Sequence, residues 1–459
     1  MRMNIWGVSG LMASLAMPAC AATQQSVPGP LWSLPFAGLL LTIAVLPLLA
    51  PRFWHRRMGL AALAWAMALL GPQAVLLGAG VATQGAWHAV LTEYLPFLAM
   101  LLALFTCGGG ILIEGGPWGT PAGNTLLLAI GTALAGVMGT TGVSMVLIHP
   151  LLRANAHRRR RVHLVIFFIL LCGNAGGATS PLGDPPLYLG FLQGVPFDWP
   201  LRHLGLPLLL LTLPLLSVFY LIDRNLGRGE PVPPRDTRLR LRGGWNLALI
   251  AVAVACVLAQ GMWHPGDVVL LGQAIGGERL AGMAMFAAIT AVSLAITARP
   301  VREGNLFTWA PMAEVGKLFA AIFVTIGPVL ALLQAGSAGP AAGLVRLTLD
   351  RSGVPDPLAF FWLTGLLSAF LDNAPTYLVF FQLAGNDPAV LTGHLNPVLT
   401  ALSAGSVFFG ALTYIGNAPN MMIRAIAAHR GIQMPGFFGY IGWAGLLLVP
   451  CFLLLSLVL

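Results

Sequence analysis

The chain has 459 residues, of which 57% are hydrophobic and 8% charged, whereas an ordinary soluble domain is about one-quarter charged. That balance excludes a soluble protein and leaves an all-α polytopic membrane protein, because apolar runs of the roughly 20 residues a crossing helix needs recur along its whole length. The net charge of +9 is no sign of a nucleic-acid partner: the basic residues sit in short loops between apolar runs, where the positive-inside rule accounts for them, and a phosphate-binding face must be continuous.

Residues 1–22, MRMNIWGVSGLMASLAMPACAA, join Arg2, an apolar stretch and an AxA pattern at Ala19, Cys20 and Ala21, the layout of a signal peptide or of an uncleaved first helix. Apolar runs then predict crossings over 31–50, 58–80, 94–113, 162–193, 201–222, 245–260, 280–298, 318–337, 397–425 and 437–458. Two more apolar stretches, 123–153 and 357–386, are interrupted by Gly, Thr, Asn, Asp or Pro and read as re-entrant hairpins. With each hairpin returning to its own side, 19 Lys and Arg share one compartment and four, Arg202, Arg279, Arg346 and Arg351, face the other. The basic side is cytoplasmic, and the expected location is a bacterial inner membrane. The cysteines Cys107, Cys172, Cys256 and Cys451 lie in apolar runs and read as packing residues. His149, beside Pro150 at the cytoplasmic end of the first hairpin, reads as an interfacial residue, with a proton relay as the alternative.

The chain also repeats itself. GGATSPLGDPPL, from Gly176, and FGALTYIGNAPN, from Phe409, match at a shift that carries Gly183 onto Gly416, Asp184 onto Asn417 and Pro186 onto Pro419. The same shift carries GTTGVS (Gly139 to Ser144) onto DNAPTY (Asp372 to Tyr377). The reading is an inverted repeat: residues 31–222 and 245–458 each hold five spans, one re-entrant hairpin and one broken helix, and residues 223–244 form a basic cytoplasmic linker. Five is odd, so the second half enters from the opposite face.

Breaks at mid-bilayer leave backbone N–H and C=O groups unpaired, which is tolerated only against protein or a water-filled cavity. The four interrupted elements therefore mark the site. They supply Thr140 and Thr141 from the first hairpin tip, Asp372, Asn373 and Thr376 from the second, Asn174, Thr179, Ser180 and Asp184 from the first break, and Thr413, Asn417 and Asn420 from the second. Asp184 and Asp372 are the acidic residues placed near mid-membrane, where a carboxylate is costly and function is the default reading. The bland alternative is that each aspartate caps a half-helix. No ATP-binding loop, HExxH motif or GxSxG elbow occurs, so the expectation is a transporter without a bound cofactor, driven by an ion gradient.

The motifs GTTGVSMVLIHPLLRAN, CGNAGGATSPLGDPPLYLGFLQGVPF, SAFLDNAPTYLVF and GNAPN resemble, in that order, those of the NhaD-type sodium/proton antiporters of the ion transporter superfamily. That superfamily also holds citrate and dicarboxylate carriers and ArsB-type arsenite carriers. The resemblance covers nearly the whole chain after the signal-like segment. It implies a homodimer in which one half of each protomer is a scaffold and the hairpins with the broken helices move. Carboxylate carriers have Ser, Asn and Thr together at both hairpin tips, whereas here the first tip is GTTG. Two mid-membrane carboxylates repel an anion, and the interrupted elements carry Arg only at their cytoplasmic ends, Arg153 and Arg424. The expected cargo is sodium or lithium exchanged for protons at Asp184 and Asp372, the residues that would hold the metal ion. The alternative is a citrate or dicarboxylate symporter that uses the same aspartates for sodium.

Overall fold

Helices dominate because backbone groups in hydrocarbon must be paired within their own segment. The computed structural model describes residues 29–116, 118–228, 230 and 238–459; the signal-like segment 1–22, with Cys20, lies outside the described residues. The first half comprises α1 (Leu34–Leu49), α2 (Pro51–Leu76), α3 (Ala79–Gly109), α4 (Pro121–Met138), α5 (Thr140–Ala154), α6 (Val162–Leu171), α7 (Pro185–Leu192) and α8 (Trp199–Leu226). The second comprises α9 (Trp245–Met262), α10 (Gly277–Ile296), α11 (Ala310–Gln334), α12 (Pro357–Leu371), α13 (Asn373–Leu383), α14 (Asn396–Phe409), α15 (Ala418–His429) and α16 (Phe437–Leu455).

Among the described residues ten helices are long and apolar enough to cross a membrane. Their membership differs from the expectation in two places. The 397–425 crossing is too interrupted to count as one long helix, whereas α4 qualifies by length. Yet α4 doubles back on α5. Asn124 near its start and Asn155 just past α5 exchange side-chain amide bonds at 3.0 and 2.9 Å, so both legs of this hairpin open at one end. In the second hairpin Phe360 of α12 lies 6.0 Å from Phe380 of α13, ring to ring, so these legs are paired too.

Residues 79–93, expected outside the span predicted over 94–113, continue the same helix through a π-helical segment, Ala89–Tyr94. Two short ribbons were not foreseen. Strand β1 (Leu112–Glu114) pairs antiparallel with β2 (Arg240–Arg242) of the basic linker, and β3 (Asp267–Leu270) with β4 (Gln273–Gly276). The second ribbon turns at Leu271 and Gly272, both with positive φ, 51° and 77°, as a two-residue hairpin turn demands. The core centres on α6, where His163 to Leu171 are all buried and all but the histidine are apolar. Leu60, Leu63, Met67, Leu209, Leu213 and Leu446 are exposed on the outer helices, as lipid-facing residues are.

Side-chain contacts define the two ends of the bundle. At one, Arg279 donates to the carbonyls of Thr92 (3.0 Å) and Leu192 (2.8 Å). At the other, Arg302 reaches the Thr106 carbonyl (3.2 Å) and Arg153 the Ile113 carbonyl (2.5 Å). The first hairpin opens at the Arg153 end, where a buried cluster ties it to α6 and α8. In that cluster Asp223 accepts from Arg158, from His163 (2.8 Å) and from Asn124 (3.0 Å). The second hairpin opens at the Arg279 end, where Pro388 packs on Gly194 and Asn396 accepts from Trp199 (2.8 Å).

Local geometry recurs at the spacing of the sequence repeat. Gly139, between α4 and α5, has φ 75° and ψ 150°; Asp372, between α12 and α13, has φ 76° and ψ 144°. Ser180 Oγ donates to the Gly136 carbonyl, and Thr413 Oγ1 donates to the Ala369 carbonyl at 2.5 Å. Each hydroxyl also accepts from the backbone N–H two residues on, at 3.1 and 3.2 Å.

This docking leaves no room at Gly136, where a Cβ would stand 1.8 Å from Thr179 Oγ1, whereas nothing lies within 4 Å of a Cβ on Gly205. Gly136→Ala should therefore destabilise the protein by about 1–3 kcal/mol, while Gly205→Ala should be neutral or slightly stabilising. Thermal unfolding in detergent checks the contrast; equal melting temperatures for the two variants would contradict the packing described.

Candidate functional site

The breaks form because their sequences cannot stay helical. Pro185 and Pro186 lack the N–H that a continuing turn needs, and the glycines allow backbone contact: the Cβ of an alanine at Gly183 would stand 2.2 Å from the Gly177 carbonyl oxygen. Between α6 and α7 the chain passes through a short 3-10 turn, Ala175–Thr179. Between α14 and α15 it passes through another, Gly410–Leu412.

Asp184 precedes α7 with extended torsions, φ −146° and ψ 144°, and makes no capping bond with its side chain. Its carboxylate instead gathers donors from three other elements. Asn373 Nδ2 donates to Oδ2 at 2.5 Å, and Asn417 Nδ2 (3.1 Å) and Thr140 Oγ1 (3.3 Å) donate to Oδ1. Asp184 is 1% exposed. Among the described residues Arg158–Asp223, His163–Asp223, Arg202–Asp198 and Arg242–Glu114 are ion pairs on other carboxylates. Asn373 Oδ1, beside this carboxylate, is buried with no hydrogen-bond partner.

Asparagines extend the network. Asn417 Nδ2 also reaches Asn174 Oδ1 (3.1 Å), Asn174 Nδ2 donates to Asn420 Oδ1 (2.7 Å), and Asn420 Nδ2 donates to the carbonyls of Gly410 (2.8 Å) and Thr413 (2.9 Å). Asn174 and Asn420 therefore lock the two breaks to one another. Thr140, Thr141, Gly139, Met138, Leu182 and Asp184 line, with α3, a cavity of about 20 Å³. A water molecule needs roughly 10–15 Å³ on this measure, so the cavity holds one water-sized particle.

The expected site residues thus divide by what they touch. Asp184, Asn373, Asn417 and Thr140 meet at one carboxylate, Thr141 lines the cavity beside it, and Asn174 with Asn420 form the layer behind. Ser180 and Thr413 fasten the breaks to hairpin backbone, Thr179 packs on Gly136, and Thr376 donates to the Asp372 carbonyl at 2.8 Å. Asp372 takes the bland alternative in part: its Oδ1 caps α13 by accepting from Ala374 N at 3.3 Å. It does so in a conformation essentially reserved for glycine, which costs about 1–3 kcal/mol and tends to persist at functional sites. The reading of His149 as interfacial is corrected, since the ring is fully buried. Residue position along α5 misled there, because the β1–β2 ribbon and its neighbours cover that end of the helix. The sequence reading also missed the Asp223 cluster, because Asp223 opens the linker expected over 223–244; Asn124 and Asn155, polar residues at the base of an otherwise apolar hairpin, were the available signal.

Comparison with known proteins bears on this arrangement. A family model described as "Putative citrate transport" matches residues 25–459. A "46 kDa membrane protein" of Mycobacterium leprae is 24% identical over 328 residues, covering 68% of this chain and 71% of the relative. An "uncharacterized transporter" of Mycobacterium tuberculosis is 24% identical over 335 residues, with the same coverage.

The torsion at Asp372 makes a prediction. Asp372→Gly removes the strain and should raise the melting temperature, whereas Asp372→Ala keeps the strain, loses the cap and should destabilise by about 1 kcal/mol. Thermal unfolding of both purified variants tests this, and a lower melting temperature for Asp372→Gly than for Asp372→Ala would contradict it.

Proposed function

We propose a function from the premise that this chain belongs to the family described as "Putative citrate transport". It is a multi-pass membrane transporter and not an enzyme. The cargo we infer is sodium or lithium, exchanged for protons by alternating access in a bacterial inner membrane, with the basic loops in the cytoplasm. The observation that carries this reading is the Asp184 carboxylate, buried, met by neutral donors and beside an unpartnered amide oxygen.

A carboxylate in a low-dielectric site must hold a proton, a cation or a permanent ion pair, because the idealised cost of burying the bare charge is on the order of 20 kcal/mol. Three hydrogen bonds to a charged group contribute about 1.5–3 kcal/mol each, which offsets only part. No lysine or arginine is bonded to Asp184 among the described residues, so proton and cation are the candidates for the remainder. A set of oxygen ligands suits a hard cation. The cavity of about 20 Å³ beside the carboxylate has room for such an ion.

The movement follows from the repeat, which we read as inverted. The support is that the hairpins open at opposite ends and that Asn417 Nδ2 donates to Asp184 Oδ1 across 233 residues of sequence. Equivalent positions of the two halves therefore touch at the site. A pseudo-twofold axis through that contact lets one rocking motion expose the carboxylate to each side in turn. The second reading, a citrate or dicarboxylate symporter with a sodium at Asp184, draws on the family's description.

In proteoliposomes containing a pH-sensitive dye, a sodium or lithium gradient should drive proton movement that potassium does not. Asp184→Asn should reduce it to the level of empty vesicles, and Asn373→Ala should weaken the apparent sodium affinity. Labelled-citrate uptake with no sodium-driven pH change would favour the symporter instead.

A further inference from the structure

The proposed exchange gives no task to the buried imidazole of His149. His149 lies on α5 nine residues past Thr140, about 13 Å along the helix at 1.5 Å per residue, and so away from the Asp184 centre. Arg153 follows it by four residues, on the same face of the helix. Arg430 closes α15, which packs against α5. Both guanidinium groups lie within electrostatic reach of the His149 ring and of each other. Positive charge is favoured at helix C-termini, which accounts for an arginine at each helix end. It does not account for two such ends converging on one histidine.

The polar bookkeeping at this spot does not close. His149 is 0% exposed; the Asn305 backbone lies beside the ring as a weak partner, and no side chain bonds either ring nitrogen. Arg430 Nε is likewise buried without a partner. Arg153 commits one Nη to the Ile113 carbonyl at 2.5 Å. Glu114 is within electrostatic reach of Arg153, but its carboxylate is bonded to Arg242 at 3.2 Å across the β1–β2 ribbon. Like charges held together are costly in a partly buried setting unless an anion lies between them, and guanidinium forks match carboxylate and phosphate oxygens in geometry.

We propose that His149, Arg153 and Arg430 form an oxyanion site at the basic end of the bundle, one that takes a carboxylate or phosphate group, either a free small anion or an anionic lipid headgroup. The site joins the first hairpin to the second broken helix, next to the loop after α3, so its occupancy couples elements of both halves. It is independent of what Asp184 carries.

The test uses the full chain, purified in detergent and depleted of lipid. Equilibrium binding of labelled citrate and labelled inorganic phosphate is measured at low salt. At least one should bind, and Arg430→Gln and His149→Gln should each weaken it about tenfold or more, with Asp184→Asn binding as wild type does. If neither free anion binds, the melting temperature in phosphatidylglycerol nanodiscs is compared with that in phosphatidylcholine nanodiscs. A stabilisation by phosphatidylglycerol that disappears in Arg430→Gln and His149→Gln identifies a lipid headgroup and supports the site. Should Arg430→Gln fail to fold, His149→Gln and Arg153→Gln decide. Binding that survives these substitutions, binding lost in Asp184→Asn, or no effect of free anion or anionic lipid overturns the proposal.

Discussion

A carboxylate buried without a cationic side chain constrains this molecule more than any other single feature. Asp184 is held by an amide from the second hairpin, an amide from the second break and a hydroxyl from the first hairpin. Each donor satisfies a lone pair, yet none neutralises the charge, and the dielectric around the group makes that charge expensive. Here the nearest buried ion-paired carboxylate, Asp223, sits at the far base of the first hairpin with Arg158 and His163, and the contrast is instructive. One carboxylate is locked by ion pairs; the other is held by neutral donors.

Those donors reach Asp184 only because the chain is interrupted four times and the interruptions meet. Asn174 and Asn420 tie the two breaks together, while Ser180 and Thr413 tie each break to its own hairpin. Hairpins and breaks thus form one hydrogen-bonded body. In the proposed exchange this body is what rocks against α3 and its neighbours, and the neutral asparagine links can move with it without separating opposite charges. Asp372, in a torsion that its counterpart Gly139 adopts at little cost, keeps a second carboxyl group at the tip that supplies Asn373.

Much of this was legible in the sequence for a definite reason. Apolar runs record crossings, and Gly, Pro, Asn and Asp inside them record where the backbone leaves the helix, so the spans, both hairpins and both breaks could be placed. The repeat showed which residues occupy equivalent positions, and hence that Asp184 and Asn417 belong together. What the pattern could not convey is direction. Asp184 and Asp372 look alike in sequence, each just ahead of a half-helix, yet one carboxylate turns into the shared centre and the other back onto its own backbone. Burial at the ends was hidden for the same reason: Asp223 and His149 fall where a hydropathy reading puts the interface, and only the packing of the linker ribbon and neighbouring helix ends covers them. The continuation of α3 through residues 79–93 was lost because Thr83, Gln84, His88 and Glu93 interrupt the apolar run from which the boundary at 94 was read.

Proton release on sodium binding addresses the central claim most directly. Titrating sodium into the purified protein by calorimetry, in buffers of different ionisation enthalpy, counts the protons displaced per ion bound. The account predicts that sodium binding displaces protons near neutral pH and that Asp184→Asn loses both the binding and the release. Sodium binding with no proton release, or unchanged in Asp184→Asn, would contradict it.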